Sequence, residues 1–189
     1  MSSPGYKNES SHDPTLPTHV AALQNRVQDV EQLLKQGEQL VDESTGESPF
    51  HAAARGGSID VIRWLLQNVT AVTPRDKAIN GHTPAHVAAV YGHMGALRAI
   101  LEYNKKQGGL IAADQDRNGL TILHLAVLQG DDEMLRYILN NFPHLSFTSN
   151  ENGDLPVHFA AAQGETACIW AYAHMHQTNW WQFVDEGES

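Results

Sequence analysis

The phrase TPAHVAA, residues 83–89, decides the fold, because the chain carries five near-copies of it. The other four are LPTHVAA (16–22), SPFHAAA (48–54), TILHLAV (121–127) and LPVHFAA (155–161). Self-similarity with a period of about 33 residues is the signature of a solenoid, in which stacked repeats bury one continuous core. The repeat histidines, spaced 32 to 38 residues apart, are His19, His51, His86, His124 and His158.

Each copy of the phrase is followed by a pattern typical of two helices joined by a tight turn. Apolar residues recur eleven, fourteen and fifteen positions after each histidine, as at Ile62, Leu65 and Leu66. That spacing is the apolar stripe of an amphipathic second helix. Glycine and asparagine adopt the left-handed conformation that ends a helix at little cost. One of them stands six residues after each histidine: Asn25, Gly57, Gly92, Gly130 and Gly164.

The residues before each histidine predict how well each first helix begins. Ser48 and Thr83 are hydroxyl N-caps followed by proline, and Thr121 is an N-cap without proline. Leu16 and Leu155 lack a hydroxyl at this position, so we expect the first and last repeats to be capped less well. Asn-Gly pairs between repeats are typical of hairpin turns. The sequence therefore predicts an all-α solenoid of five helix-turn-helix units with projecting β-hairpin loops.

Three segments are expected along the chain. Residues 1–12 lack periodicity and are predicted to be disordered. The repeat domain covers residues 13–178, with repeats starting near 13, 46, 81, 119 and 153. Residues 179–189 are aromatic and then acidic, and we expect them to cap the last repeat. The alternatives are a partner-binding motif, or the point where a longer parent chain continued. The aromatic residues are Trp180, Trp181 and Phe183.

Composition narrows the classes of function. The chain has 189 residues, which suits one domain with a sizeable core. Its net charge of −10 argues against nucleic acid or an anionic membrane as a partner, because both attract basic proteins. The N-terminus is polar and no long apolar stretch occurs. We therefore expect an intracellular, monomeric protein of the cytoplasm, with the nucleus also possible, that binds another protein or a peptide.

The repeat phrase, its alanine pair, the glycine and the apolar second helix together resemble the ankyrin repeat. The resemblance covers about residues 13–178 and holds in all five copies. It implies a curved array of L-shaped units that binds other proteins through its hairpin tips and the exposed, concave face of its first helices. It also implies that the repeat histidines are structural and hydrogen-bond within and between repeats. These are His19, His51, His86, His124 and His158.

Two narrower resemblances suggest particular scaffolds. The phrases LPVHFAAAQGE and TILHLAVLQGD are similar to the N-terminal ankyrin array of espins, actin-bundling proteins whose repeats bind myosin tails. The long segment 105–116 is similar to part of the synphilin array. An espin-like cytoskeletal scaffold is therefore one alternative function. A regulatory domain or a pathogen effector domain of a larger protein is another.

The sequence carries no recognisable catalytic or metal-binding motif. The repeat histidines recur one layer apart, too far to share a metal ion at about 2 Å. His174 and His176 are two residues apart on a predicted helix, so they point to different faces. Cys168 is the only cysteine and falls in an inward-facing apolar column, where we expect it to be buried and unreactive. We expect no enzyme activity, no cofactor and no metal.

The candidate binding surface comes from positions four and five residues after each histidine, on the exposed face of the first helix. These positions are apolar in most repeats, whereas an unused face should be polar. The hairpin tips add residues beside them. We predict a groove for a short helix or an extended peptide, with Tyr91 as the central anchor. The predicted partner-binding residues are Leu23, Arg55, Ile79, His82, Val90, Tyr91, Leu120, Leu128 and Gln129.

Two other interpretations stay open. In the first, some groove residues tuck against the next hairpin and are half-buried. In the second, partner binding uses the column twelve residues after the histidine, where three arginines stand in register against an acidic background. That column either receives an acidic partner segment or is a solvated face. Its arginines are Arg63, Arg98 and Arg136.

Overall fold

The structure is a computed structural model that describes residues 16–106 and 111–164. Helices occupy most of this part of the chain, and none of its residues lies in a regular β-strand. Two short 3₁₀ helices, Ile111–Ala113 and Pro143–Phe147, lie in the connections. The α-helices are α1 (Pro17–Leu23), α2 (Val27–Lys35), α3 (Pro49–Gly56), α4 (Ile59–Asn68), α5 (Pro84–Val90), α6 (Met94–Lys106), α7 (Ile122–Gln129), α8 (Asp132–Asn141) and α9 (Pro156–Gln163).

The helices stack in two rows, as a solenoid requires. The first helices of successive repeats contact each other in order: α1 on α3, α3 on α5, α5 on α7 and α7 on α9. Among the second helices, α2 likewise contacts α4, and α4 contacts α6. Four helix pairs and the first helix of a fifth pair lie in the described ranges. The predicted all-α repeat solenoid is therefore confirmed.

Each tight turn depends on a residue in the left-handed conformation, and the sequence places all of them correctly. Asn25 has φ 57°, and Gly57, Gly92, Gly130 and Gly164 have φ between 65° and 70°. The chain reverses there through a backbone bond such as Ser58 N–H to Ala53 O, at 2.8 Å. The turn lets the second helix fold back on the first.

The apolar stripe of the second helices forms the core. Ile62, Leu97 and Leu135 are fully buried at the position eleven residues after the histidine. The alanine pairs of α1, α3 and α5 are equally buried, because small side chains let neighbouring helices approach closely. At the open end of the first repeat, Leu33 and Leu34 are only partly buried. A core of this kind grows by one layer with each repeat, and its end layers are the least covered.

The longest spacing between histidines is accommodated by a longer second helix. α6 has 13 residues, against 10 in α4 and in α8. The predicted tail at 1–12, the cap at 179–189 and the second helix of the fifth repeat lie outside the described residues. The same holds for Cys168, His174 and His176. The domain boundaries at 13 and 178 therefore stay predictions.

Candidate partner-binding surface

The repeat histidines connect each first helix to the hairpin of the next repeat. His86 Nδ1 accepts the backbone N–H of Thr83 at 3.3 Å. Because Nδ1 is an acceptor, the ring proton is on Nε2, which donates to Leu120 O at 3.1 Å. The structure thus shows the hydrogen bonds that a structural role requires. His51 makes the same two bonds with Ser48 and His82, and His124 makes them with Thr121 and Asp154.

The two end histidines make only half of this set with the described residues. His19 Nε2 donates to Glu47 O at 3.0 Å, but its Nδ1 is buried without a partner there. His158 Nδ1 accepts the Leu155 N–H at 3.1 Å, and 58% of its side chain is exposed. In the first repeat Leu16 has no hydroxyl to bond Nδ1, and its N–H makes no bond to this atom, unlike the Leu155 N–H. In the fifth repeat no hairpin follows among the described residues.

Burial keeps the central histidines neutral. Loss of hydration lowers the pKa of His51 and of His86 from 6.5 to about 4. It also lowers the pKa of His19 and of His124. A protonated ring would turn Nδ1 from an acceptor into a donor that faces a backbone N–H, so the neutral form is the one that fits this geometry.

Some predicted groove residues lie where a partner can reach them. Leu23, Tyr91 and Leu128 are half-buried with part of their surface open. Tyr91 and Leu128 pack against the core. Ile79 is 49% exposed at its hairpin, and Gln129 is exposed at the end of α7. We call these five residues the first-helix surface. They come from α1, from the end of α5, from α7 and from the hairpin before α5, while α3 stacks between α1 and α5.

The expected exposure of three other residues is wrong. Val90 is 6% exposed, His82 5% and Leu120 4%. Val90 and Leu120 pack into the continuous core between neighbouring repeats. His82 is covered by the ring of His86, which stacks parallel to it with centroids 5.8 Å apart, and by Asp116 of the next repeat, whose Oδ2 lies 3.4 Å from His82 Nε2. His82 and Leu120, which directly precede the N-caps Thr83 and Thr121, thus turn inward, in line with the interpretation left open by the sequence.

The side chain of Arg55 is largely covered, contrary to the expected exposure, because it braces the array. Its Nη2 donates to Glu47 Oε1, and both side chains are 9% exposed. The guanidinium carbon lies 5.8 Å from the centroid of the Tyr91 ring, a cation–π contact between repeats. The backbone oxygen of Arg55 accepts a bond from His93 Nε2 at 2.9 Å. Sequence reasoning missed this role, although Glu47 next to the N-cap Ser48 was the available signal.

The buried carboxylate of Asp116 orders the hairpin of the fourth repeat, residues 116–120. Asp116 Oδ2 lies 3.4 Å from His82 Nε2, and Oδ1 accepts the N–H groups of Asn118 and Leu120, both at 2.8 Å. Burial alone would raise the pKa of Asp116, but these hydrogen bonds outweigh it and the pKa is lowered. The carboxylate therefore stays ionised while it holds two neighbouring hairpins together.

Successive hairpin tips are joined by backbone hydrogen bonds. Ile79 N–H donates to Thr45 O at 2.8 Å. The next two links are Arg117 N–H to Asn80 O at 3.3 Å and Glu151 N–H to Asn118 O at 3.1 Å. The tips consequently form one connected row beside the first-helix surface. A partner that contacts both meets a pre-organised structure, which lowers the entropic cost of binding.

The arginine column is occupied by contacts within the chain. Arg98 lies 3.4 Å from Glu102 and 5.6 Å from the centre of the Tyr137 ring. Arg136 lies 3.6 Å from Asp132. Arg63 is exposed on α4. Two of the three charges are thus already balanced by a carboxylate on the same helix, which favours the interpretation of a solvated face.

No group of three metal-ligating side chains comes together within residues 16–106 and 111–164. None of the helices in these ranges is both long enough and apolar enough to cross a membrane. A site built from His174, His176 or Cys168 would lie beyond the described part.

Comparison with known proteins identifies the class of protein that this architecture defines. A family model described as ankyrin repeats in three copies matches residues 18–109, 69–149 and 107–174. The chain therefore belongs to the ankyrin repeat family. Ankyrin repeats are in general protein–protein interaction modules, and the repeat fold itself is non-catalytic.

Several curated proteins are similar to the chain. The human transient receptor potential cation channel subfamily A member 1 is 31% identical over 134 residues, which are 70% of this chain and 11% of the channel. Mouse rabankyrin-5 is 28% identical over 169 residues, 87% of this chain and 14% of that protein. Mouse synphilin-1 is 24% identical over 154 residues, 79% of this chain and 16% of synphilin-1. The chain thus corresponds to a small part of each relative.

Proposed function

We propose that the chain is a non-catalytic adaptor module that binds a peptide or a folded partner through the first-helix surface and the adjoining hairpin tips. The observation that carries the proposal is a set of half-buried apolar side chains on one face of the first-helix row. Leu23 on α1, Tyr91 at the end of α5 and Leu128 on α7 keep part of their surface open there. Apolar surface of this kind, rimmed by polar groups, is typical of a protein-binding site.

Tyr91 is the proposed anchor of the interaction. Its ring is held by the guanidinium of Arg55, which is itself fixed by Glu47. An aromatic side chain whose position is set before binding loses little entropy when a partner covers it. Such residues are the ones that dominate interface energetics. Leu128 on α7 and Ile79 at the hairpin supply apolar surface on the neighbouring repeats.

The test begins with a partner identified by crosslinking and mass spectrometry and continues with calorimetry on the purified pair. We expect Tyr91→Ala and Leu128→Ala each to weaken binding about tenfold or more, equivalent to about 1.4 kcal/mol. Arg63→Ala, on the exposed side of α4, is the matched control and should leave the affinity unchanged. Thermal melting of each variant checks that the fold is intact.

Two results would count against the first-helix surface. Unchanged affinity of both apolar variants would remove it as the binding site. A strong loss of affinity in the Arg63→Ala variant alone would show that the partner binds the arginine column instead. The espin-like scaffold and the regulatory or effector alternatives are separated by the identity of the partner, beginning with a myosin tail.

We further propose that the module is monomeric on its own and works in the cytoplasm. A single cysteine cannot form a disulfide within the chain, which suits a reducing compartment such as the cytoplasm. The acidic charge disfavours binding to nucleic acid. Light scattering of the purified chain tests the monomer, and a tagged chain followed by microscopy tests the location.

A further inference from the structure

Three hairpins share one turn that contains an Asn-Gly pair. The pairs are 80–81, 118–119 and 152–153. In each hairpin the glycine N–H donates to the backbone oxygen three residues earlier, at 2.8 to 3.1 Å, and the glycine has φ between 75° and 83°. The three turns are therefore equivalent in local structure, and any difference in their chemistry must come from their neighbours.

Asn-Gly pairs are the sites at which a protein backbone can attack its own side chain. The glycine nitrogen bonds to the asparagine Cγ, the side-chain nitrogen leaves as ammonia, and a five-membered succinimide ring forms. Water then opens the ring at either carbonyl and gives aspartate or isoaspartate. Glycine favours the reaction because it has no Cβ to block the rotation that the ring requires.

The next hairpin holds each of the first two Asn-Gly pairs in place through a backbone hydrogen bond, which we call the clamp. The backbone oxygen of Asn118 accepts the Glu151 N–H at 3.1 Å, and the position of an added Cβ at Gly119 is only 2.5 Å from Glu151 N. The backbone oxygen of Asn80 is held in the same way by Arg117. Rotation of these peptide groups toward the side chain would break a hydrogen bond and push backbone into the next hairpin.

The third pair is not clamped by the described residues. Among the described residues, nothing lies within 4 Å of an added Cβ at Gly153. Asn152 is exposed, and within the described ranges no hydrogen bond holds its backbone oxygen. Asn118 is also exposed and lies in a turn of the same kind as Asn152. The hairpin that follows Asn118 is therefore the main difference between these two sites.

We propose that Asn152 is a site of spontaneous succinimide formation and deamidation in the folded protein, and that stacking protects Asn118 and Asn80. The reaction consumes one water and releases one ammonia. The product carries a new carboxylate at position 152, between Glu151 and Asp154, at the tip of the hairpin formed by residues 150–154. If the hairpin tips bind the partner, as proposed above, this charge changes affinity with the age of the protein.

The test follows the mass of each Asn-Gly peptide while the intact chain is incubated at neutral to mildly alkaline pH. We expect conversion at Asn152 to be about tenfold faster than at Asn118, a ratio that corresponds to about 1.4 kcal/mol of activation free energy. In denaturant the clamp is lost, and the two sites should react at equal rates. Asn152→Gln should abolish the signal at this site, because its longer side chain does not form the five-membered ring.

A matched variant tests the clamp itself. Proline is favoured at the second position of such turns and has no N–H, so Glu151→Pro removes the bond to Asn118 O while keeping the turn. Asn118 should then react several times faster. Equal rates at Asn118 and Asn152 in the folded native chain would overturn the proposal. So would an unchanged rate at Asn118 in a folded Glu151→Pro variant. Neither readout depends on partner binding.

Discussion

The central repeats and the first repeat carry the same histidine, yet they use it differently. In the central repeats each ring accepts from an N-cap residue and donates to the next hairpin, as His86 does between Thr83 and Leu120. In the first repeat Leu16 replaces the hydroxyl, and within the described residues His19 Nδ1 and Thr18 Oγ1 are buried without partners. The histidine therefore stabilises the array fully only between a hydroxyl cap and a following hairpin.

Lowering the pH toward 4 should reduce the free energy of unfolding more than any single substitution, because it acts on His51 and His86 together. The unfolded chain binds protons on His51 and His86 near pH 6.5, whereas the folded chain holds both rings neutral down to about pH 4. Stability is therefore complete above pH 6.5 and falls as the pH drops toward 4, by about 3 kcal/mol for each histidine. Chemical denaturation at several pH values measures this loss.

Histidine variants separate this effect from the titration of carboxylates. His86→Gln should flatten the dependence of unfolding free energy on pH by about 1.4 kcal/mol per pH unit within the window. Identical slopes for His86→Gln and the native chain would show that His86 does not carry the effect.

Removal of a central ring comes next in size. His86→Ala leaves the Thr83 N–H buried without its partner and removes one of the two bonds to the Leu120 oxygen, which still accepts the Asp116 N–H at 3.0 Å. We therefore expect a loss of about 1 to 3 kcal/mol in unfolding free energy. His158→Ala should cost less than about 0.5 kcal/mol, because its ring is exposed. The comparison of central and end repeats fails if the two variants melt at the same temperature.

The junction between the first and second repeats has its own sensitive position. A Cβ at Gly56 would lie 2.0 Å from Leu23 O, so Gly56→Ala must push α1 away from α3. We expect this variant to lose about 1 to 3 kcal/mol. Gly95→Ala is the control, because there the nearest atom is the flexible Cδ1 of Ile59. A Gly56→Ala variant as stable as Gly95→Ala would contradict the close helix contact.

The smallest expected effect is a gain. Leu16→Thr gives the first repeat the cap that the central repeats have, and should add about 1 kcal/mol or less to the unfolding free energy. The new hydroxyl needs the His19 ring as its hydrogen-bond partner. The gain in unfolding free energy should therefore be smaller in a His19→Ala background. A double-mutant cycle measured by denaturant unfolding provides this check. Full additivity of the two changes would show that the new hydroxyl does not act through His19.

Features that depend on a few neighbouring residues were predictable from the chain alone. The left-handed residues from Asn25 to Gly164, the missing cap at Leu16 and the lengthened helix α6 all follow from local geometry and period. The family followed as well, because five copies of one phrase leave little room for another fold. The half-open positions of Leu23, Tyr91 and Leu128 agree with the same pattern.

Burial within the predicted surface could not be obtained in this way. Val90, His82 and Leu120 stand at positions that a single repeat leaves open, and the adjacent repeat covers them. The brace between Arg55, Glu47 and Tyr91 likewise joins residues that only stacking brings together. Local sequence sets the conformation of each unit, because its hydrogen bonds span three or four residues. Exposure instead depends on contacts about 30 to 40 residues apart, which exist only once the units have packed.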